Sequence, residues 1–155
     1  MRLLCFTIDG RRFGIAADVV IEIVRAVAIT PLPGVPVVIE GVIDVRGVIV
    51  PVFDLRNRFE LPPRRLEPSH RFILVRTLSR LAALHVDDVL DLVDVADHST
   101  SDLQQAVPGV RHIAGVATLP DGLVLIHDVE TFLSHAESEA LDSVLAARSG
   151  TAAAR

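Results

Sequence analysis

The sequence predicts a mostly β chain, built as two similar small barrels side by side and finished by a C-terminal helix. Three observations carry this. Apolar runs of five to nine residues recur between turn-forming dipeptides. The two halves repeat the same punctuation. The hydrophobic period becomes helical only beyond Asp128.

Taken in order, Leu3–Ile8 and Arg12–Ala16 flank Asp9-Gly10, a dipeptide suited to a two-residue hairpin loop. Val19–Val27 is apolar apart from Glu22 and Arg25, and its start reads as a turn of helix with Asp18 placed to cap it. Val37–Val45 and Val48–Phe53 flank Arg46-Gly47. Leu61–His70, rich in Pro and Arg, reads as a linker between halves. Phe72–Arg76, Leu81–Val86 and Val89–Val95 follow as strands. Asp97–Pro108 is polar, with room for a helical turn. Val110–Thr118 and Leu123–Ile126 flank Pro120-Asp121-Gly122. Beyond Asp128, the residues Val129, Phe132, Leu133, Ala136, Leu141 and Val144 share one helical face. Ser134 with Glu137 forms a capping-box pattern. Residues 149–155 read as a frayed tail. A parallel sheet would need helical crossovers, and none is predicted before residue 128.

The halves resemble each other. Pro33-Gly34-Val35, Gly41-Val42, a turn at Gly47 and a strand ending Asp54-Leu55 recur as Pro108-Gly109-Val110, Gly115-Val116, a turn at Gly122 and a strand ending Asp128-Val129. This reads as a diverged internal duplication.

The composition bounds the function. The chain has 155 residues, a net charge of −5 and a mean hydropathy of +0.47. Half its residues are hydrophobic, which excludes a disordered chain. An acidic surface disfavours nucleic acid and anionic membranes. The absence of Trp and Tyr argues further against a base-stacking reader of single strands. All basic residues are Arg, so Schiff-base chemistry and a phosphate-loop lysine are excluded. The single cysteine, Cys5, lies in an apolar run and reads as a small buried hydrophobe. No segment reads as a signal peptide or membrane helix, and a cytoplasmic protein is expected.

Candidates for chemistry are few. His127-Asp128 is the nearest approach to an acid–base pair, but neighbours on a strand point to opposite faces. Asp128 is better read as the cap of the next helix, and His85 as a hydrogen-bonded core or edge residue. The histidines show no metal-ligand spacing, and the acidic run from Asp87 to Asp97 lacks the glycine and terminal Glu of a calcium loop. No metal or cofactor is expected. A small hydrolase using His127 and Asp128 is the rival reading. Glu22 and Arg46 stand out because each interrupts an apolar strand region. Either each points to water, or they pair across neighbouring strands beside an apolar patch including Val20 and Val42.

The run Gly41-Val42-Ile43-Asp44-Val45-Arg46-Gly47-Val48-Ile49-Val50-Pro51-Val52-Phe53-Asp54-Leu55 closely resembles the CheW family, the coupling proteins of bacterial chemotaxis. Phe13-Gly14-Ile15, Val20-Ile21-Glu22-Ile23 and Ile29-Thr30-Pro31-Leu32-Pro33-Gly34 carry the same resemblance. Val86-Asp87, Val89 and Gly115-Val116 extend it more weakly into the second half. Asp44 stands where the family usually has Asn. The resemblance implies two five-stranded SH3-like barrels within one CheW-like domain over residues 1–148, with subdomains at about 12–66 and 72–130 and with the N-terminal strand and C-terminal helix completing the packing.

It implies a non-enzymatic adaptor, recruited to membrane-associated receptor arrays. Its partners would be the cytoplasmic hairpin tip of methyl-accepting chemoreceptors and the regulatory domain of a CheA-type histidine kinase. A divergent paralogue serving a non-flagellar or motility array is the alternative. Carried over by position, Val20, Glu22, Gly41, Val42, Arg46 and Gly47 face the receptor, with Glu22 and Arg46 as a paired acid and base. Asp44, Val45, Pro120, Asp121 and Gly122, at the hairpin turns, face the kinase.

Overall fold

The computed structural model describes residues 1–95 and 112–153, with side chains to residue 147. The expectations for Asp97–Pro108 and for Pro108-Gly109-Val110 fall outside the described residues. These residues form ten strands: β1 (Arg2–Ile8), β2 (Arg11–Ala16), β3 (Val20–Arg25), β4 (Ile39–Val45), β5 (Val48–Phe53), β6 (Arg71–Arg76), β7 (Leu81–Val86), β8 (Asp88–Asp94), β9 (Ile113–Leu119) and β10 (Gly122–His127). Among the described residues two helices complete them, α1 (Leu55–Arg58) and α2 (His135–Ala153). The backbone of α2 thus continues helical into the segment expected to fray.

The strands form two five-stranded sheets, in the orders β3-β6-β7-β5-β4 and β8-β1-β2-β10-β9. Both have the same pattern of pairing: antiparallel, antiparallel, parallel, antiparallel. The duplication is therefore real at the level of backbone pairing, but it is permuted. The second unit borrows its two central strands from the N-terminus. This corrects the division at residues 12–66 and 72–130: the sheets part at Asp87, between β7 and β8, and β2 belongs with β10. Leu61–His70 is accordingly no linker between units. It joins α1 to β6 within the first, and both its ends are buried. The ladders are also open: β3 and β4 are opposite edges, as are β8 and β9.

Local rules account for the turns. Asp9-Gly10 and Arg46-Gly47 are two-residue loops with φ of 55°, 72°, 50° and 86°. Both central residues are left-handed, the turn that matches strand twist. The 3-10 turn Ala17–Val19 forms as expected, but Ala16 is its N-cap and no side chain caps it, so Asp18 lacks the expected role. Asp54 and Asp128 each cap the turn after a hairpin, accepting from Asn57 N and Glu130 N. The capping box is complete: Glu137 N donates to Ser134 Oγ at 3.1 Å and Ser134 N to Glu137 Oε1 at 2.8 Å.

Packing explains why β6 and β7 read as unbroken apolar runs. Phe72 and Leu74 enter the interior of the first unit with Ile43, Val50 and Val52. Ile73 and Val75 turn the other way, into a core shared between the units with Phe6, Ile8, Ile15 and Leu84. Phe132 and Leu141 close that shared core, which anchors α2.

Candidate docking surface

The Glu22–Arg46 pair is made. Arg46, on the β4–β5 loop, donates through Nη2 to both Glu22 carboxylate oxygens, at 2.8 and 2.9 Å. Those hydrogen bonds hold the Glu22 carboxyl below its ordinary value and raise the Arg46 guanidinium. The arginine side chain is 73% exposed and Glu22 29%, so this is a surface clamp that ties a hairpin tip to the edge strand β3. Asp44 tightens the same tip, its Oδ1 accepting from Gly47 N at 2.7 Å.

Gly41 and Val42 are placed by a different device. Thr30 and Val42 exchange two backbone hydrogen bonds of 2.9 Å, bringing the segment before β4 back across it. At Gly41, φ is +153°, and an added Cβ would lie 2.2 Å from the Thr30 oxygen. Only glycine fits. Gly47 has open space around it, so its requirement is the left-handed turn alone. Beside Gly41, Glu40 Oε1 lies 2.7 Å from His85 Nδ1, and His85 Nε2 lies 2.7 Å from His70 Nδ1. His85 is thus a buried, hydrogen-bonded residue, as expected from its strand.

Val20 and Val42 are half-buried rather than the most exposed apolar positions. Val20 packs against the shared core. Ile21, Ile23, Val48 and Ile49, on the β3 edge and the first residues of β5, are exposed. Sequence reasoning missed them. The signal was the alternation in β3, where every second residue faces out.

The second hairpin tip, Pro120-Asp121, lies on the other sheet from Arg46-Gly47. Asp121 accepts two hydrogen bonds from Arg12, at 2.8 and 2.7 Å, and Leu123 beside Gly122 is 70% exposed. Val45 is half-buried against the interior of the first unit.

His127 and Asp128 do not meet as an acid–base pair. Burial pushes His127 down to about 4, and its Nδ1 lies 3.2 Å from the Leu125 carbonyl oxygen. Asp128 is occupied as a cap. Among the described residues no His, Cys, Asp and Glu cluster is arranged to hold a metal ion, and no helix is long and apolar enough to cross a membrane.

The comparisons with known proteins agree with this geometry. The family model for the CheW-like domain matches residues 2–137. The chain is 31% identical over 110 residues to the chemotaxis protein CheW of Bacillus subtilis, covering 71% of this chain and 69% of that protein. It is 37% identical over 95 residues to the protein FrzA of Myxococcus xanthus, covering 60% and 59%. The solved scaffolding protein TtCheW of Thermoanaerobacter tengcongensis matches with a TM-score of 0.76 at 28% identity, over 88% of this chain and 94% of that one. Two five-stranded units in the arrangement of a CheW scaffold, matched along nearly their whole length, place this chain in the CheW-like family of non-enzymatic scaffold adaptors.

Proposed function

We propose that the chain couples the cytoplasmic tips of chemoreceptors to the regulatory domain of a CheA-type histidine kinase. The observation that carries this is the Glu22–Arg46 clamp. It sits on the β3 edge, whose alternate positions expose Ile21 and Ile23 on the other face of the strand. A receptor tip is a helical hairpin, and an apolar patch with fixed charges beside it suits helix docking. Val20, Gly41, Val42 and Gly47 belong to the same receptor-facing region in this reading. The two hairpin tips, with Asp44, Val45, Pro120, Asp121 and Gly122, serve the kinase. Holding both partners raises their effective concentration and lets receptor conformation bias the kinase. The working location is the cytoplasmic side of a receptor array.

Calorimetric titration tests this, with a receptor-tip hairpin and separately with the kinase regulatory domain from the same organism. Saturable binding to both is expected. Arg46→Glu should weaken the receptor arm, and adding Glu22→Arg should partly restore it. Failure of that rescue sinks the pairing; binding to neither partner sinks the adaptor reading. The likeness to FrzA, and to the protein PilI of Pseudomonas aeruginosa at 30% identity, supports a second reading, an array with another output. Binding to the kinase without the usual receptors would favour it.

A further inference from the structure

The permuted duplication sets two grooves in corresponding places, and among the described residues a helix fills only one. The parallel ladders fix the correspondence: Phe53 lies beside Leu84 in the first unit, and His127 beside Ile15 in the second. Four residues earlier on each partner strand stand Arg80 and Arg11. Arg80 is buried beneath α2. It donates to Ser138 Oγ at 2.6 Å and pairs with Asp142 at 2.9 Å. What remains of that groove is a cavity of about 330 Å³.

Arg11 meets an open cleft of about 780 Å³ instead, floored by Phe13, Phe59, Leu125 and His127. Phe13 and Phe59 stack at 5.2 Å. The reason no helix among the described residues fills the cleft is local. Counting from the caps Asp54 and Asp128, Pro62-Pro63 occupy the places of Ala136-Glu137 in α2, and two prolines in succession end the helix. The charges there are unevenly met. Arg12 is answered by Asp121, and Arg58 by Glu137. Arg11 has no hydrogen bond or ion pair among the described residues. The buried Nε of Arg58, which lines the same cleft, also has no partner among them.

We propose that this cleft receives an amphipathic acidic helix from another protein, as the corresponding groove receives α2. The helix would lay an apolar stripe on Phe13, Phe59 and Leu125. It would offer Arg11 a hydroxyl and a carboxylate four residues apart, the spacing of Ser138 and Asp142. A second copy cannot supply its own α2 cheaply, because Leu141 is fully buried in its own fold.

The test uses the whole chain, isotopically labelled, and a blocked synthetic peptide of residues 134–147 as the probe. Amide resonances are followed by NMR. Saturable shifts at Arg11, Phe13, Phe59 and Leu125 are expected. Arg11→Glu should weaken binding by about tenfold, the scale of a lost charge pair in an interface. A peptide carrying Asp142→Arg should then bind that variant better than the original peptide does. Arg2→Glu, remote from the cleft, should change nothing. The proposal is overturned by absent saturation, by equal affinity in Arg11→Glu, or by shifts confined to Thr77–Arg80, which would mean only that the peptide displaces α2. Self-association that shifts the cleft resonances without peptide would assign the cleft to a second copy and overturn it equally.

Discussion

His127 offers the sharpest test of the packing, because the duplication supplies its own control. The corresponding residue in the first unit is Phe53, buried in the same position of the ladder. Burial pushes His127 from an ordinary 6.5 down to about 4. The unfolded chain therefore binds a proton that the folded chain refuses throughout that window. Stability should be fully present above the unfolded value and fall as the pH drops towards the folded one. The whole shift corresponds to about 3 kcal/mol, of which about 2.5 kcal/mol is lost by pH 4.5. Burial and the neighbouring His85 push His70 down too, so it works in the same direction. Burial pushes the carboxyls of Asp87 and Glu137 up. Hydrogen bonds from Asp9 N–H and Arg56 to Asp87, and from Arg58 and Ser134 to Glu137, outweigh that and hold both below their ordinary values. Their contribution is lost at more acid pH. Substituting His127→Phe removes the His127 component and leaves the rest. The assay is urea unfolding at a series of pH values, followed by far-UV circular dichroism because the chain has no Trp or Tyr. The variant's stability should be within about 2 kcal/mol of the parent at pH 7.5, having lost the hydrogen bonds of His127 to the Leu125 and Gly14 backbones. It should exceed the parent by about 2 kcal/mol relative to that baseline at pH 4.5. Parallel decline of the two proteins between pH 6.5 and 4.5 would refute a neutral, buried His127.

The remaining predictions concern stability and the site scaffold. Gly41→Ala drives a Cβ into the Thr30 oxygen and should cost about 3 kcal/mol, read as a lowered urea midpoint. Gly47→Ala meets no atom and should cost only about 1 kcal/mol, from the left-handed φ. Ser134→Ala removes one half of the capping box and should cost about 1 kcal/mol in the same assay. Arg56, with its side chain 8% exposed, bridges Asp87 at 2.6 Å and Asp9 at 3.5 Å. Arg56→Ala should cost about 3 kcal/mol, and a double-mutant cycle with Asp87→Ala should show strong coupling.

Much of this was legible in the sequence, where local chemistry decides. Asp9-Gly10 and Arg46-Gly47 announce their hairpins because both loop positions must be left-handed. Asp54 and Asp128 announce caps, and Ser134 with Glu137 a helix start. Sheet membership was not legible. β6 and β7 are buried on both faces, so they lose the alternation that assigns a strand to a side. The pairing of β2 with β10 spans most of the chain and leaves no local trace. The contact of His70 with His85 is hidden similarly, since it depends on how the loop before β6 returns to the β6–β7 hairpin. Leu61–His70 misled because Pro and Arg look like a linker by composition, although its ends are buried. Nothing local marks Arg11; only the two ladders show that it holds the place of Arg80.

The comparison of the two units also bears on where partners dock. Positions that agree between them answer to the shared backbone: Gly41 and Gly115 follow the same irregularity in their ladders, and Asp54 and Asp128 cap the same turn. Their sameness says nothing about partners. Positions that differ are more telling. Counting from the same caps, Arg46 corresponds to Pro120, so only the first unit has an arginine on its hairpin loop to grip the edge strand. The second unit's loop is held by Arg12 of β2 through Asp121 instead, which leaves its edge strand β8 unclamped by that loop. A charge clamp on an exposed edge contributes little to stability, since Arg46 stays largely solvated and water screens the pair. Its retention in one unit alone is therefore poorly explained by folding. A need to fix one hairpin against one edge explains it better, which is the asymmetry that the receptor contact proposed above would use.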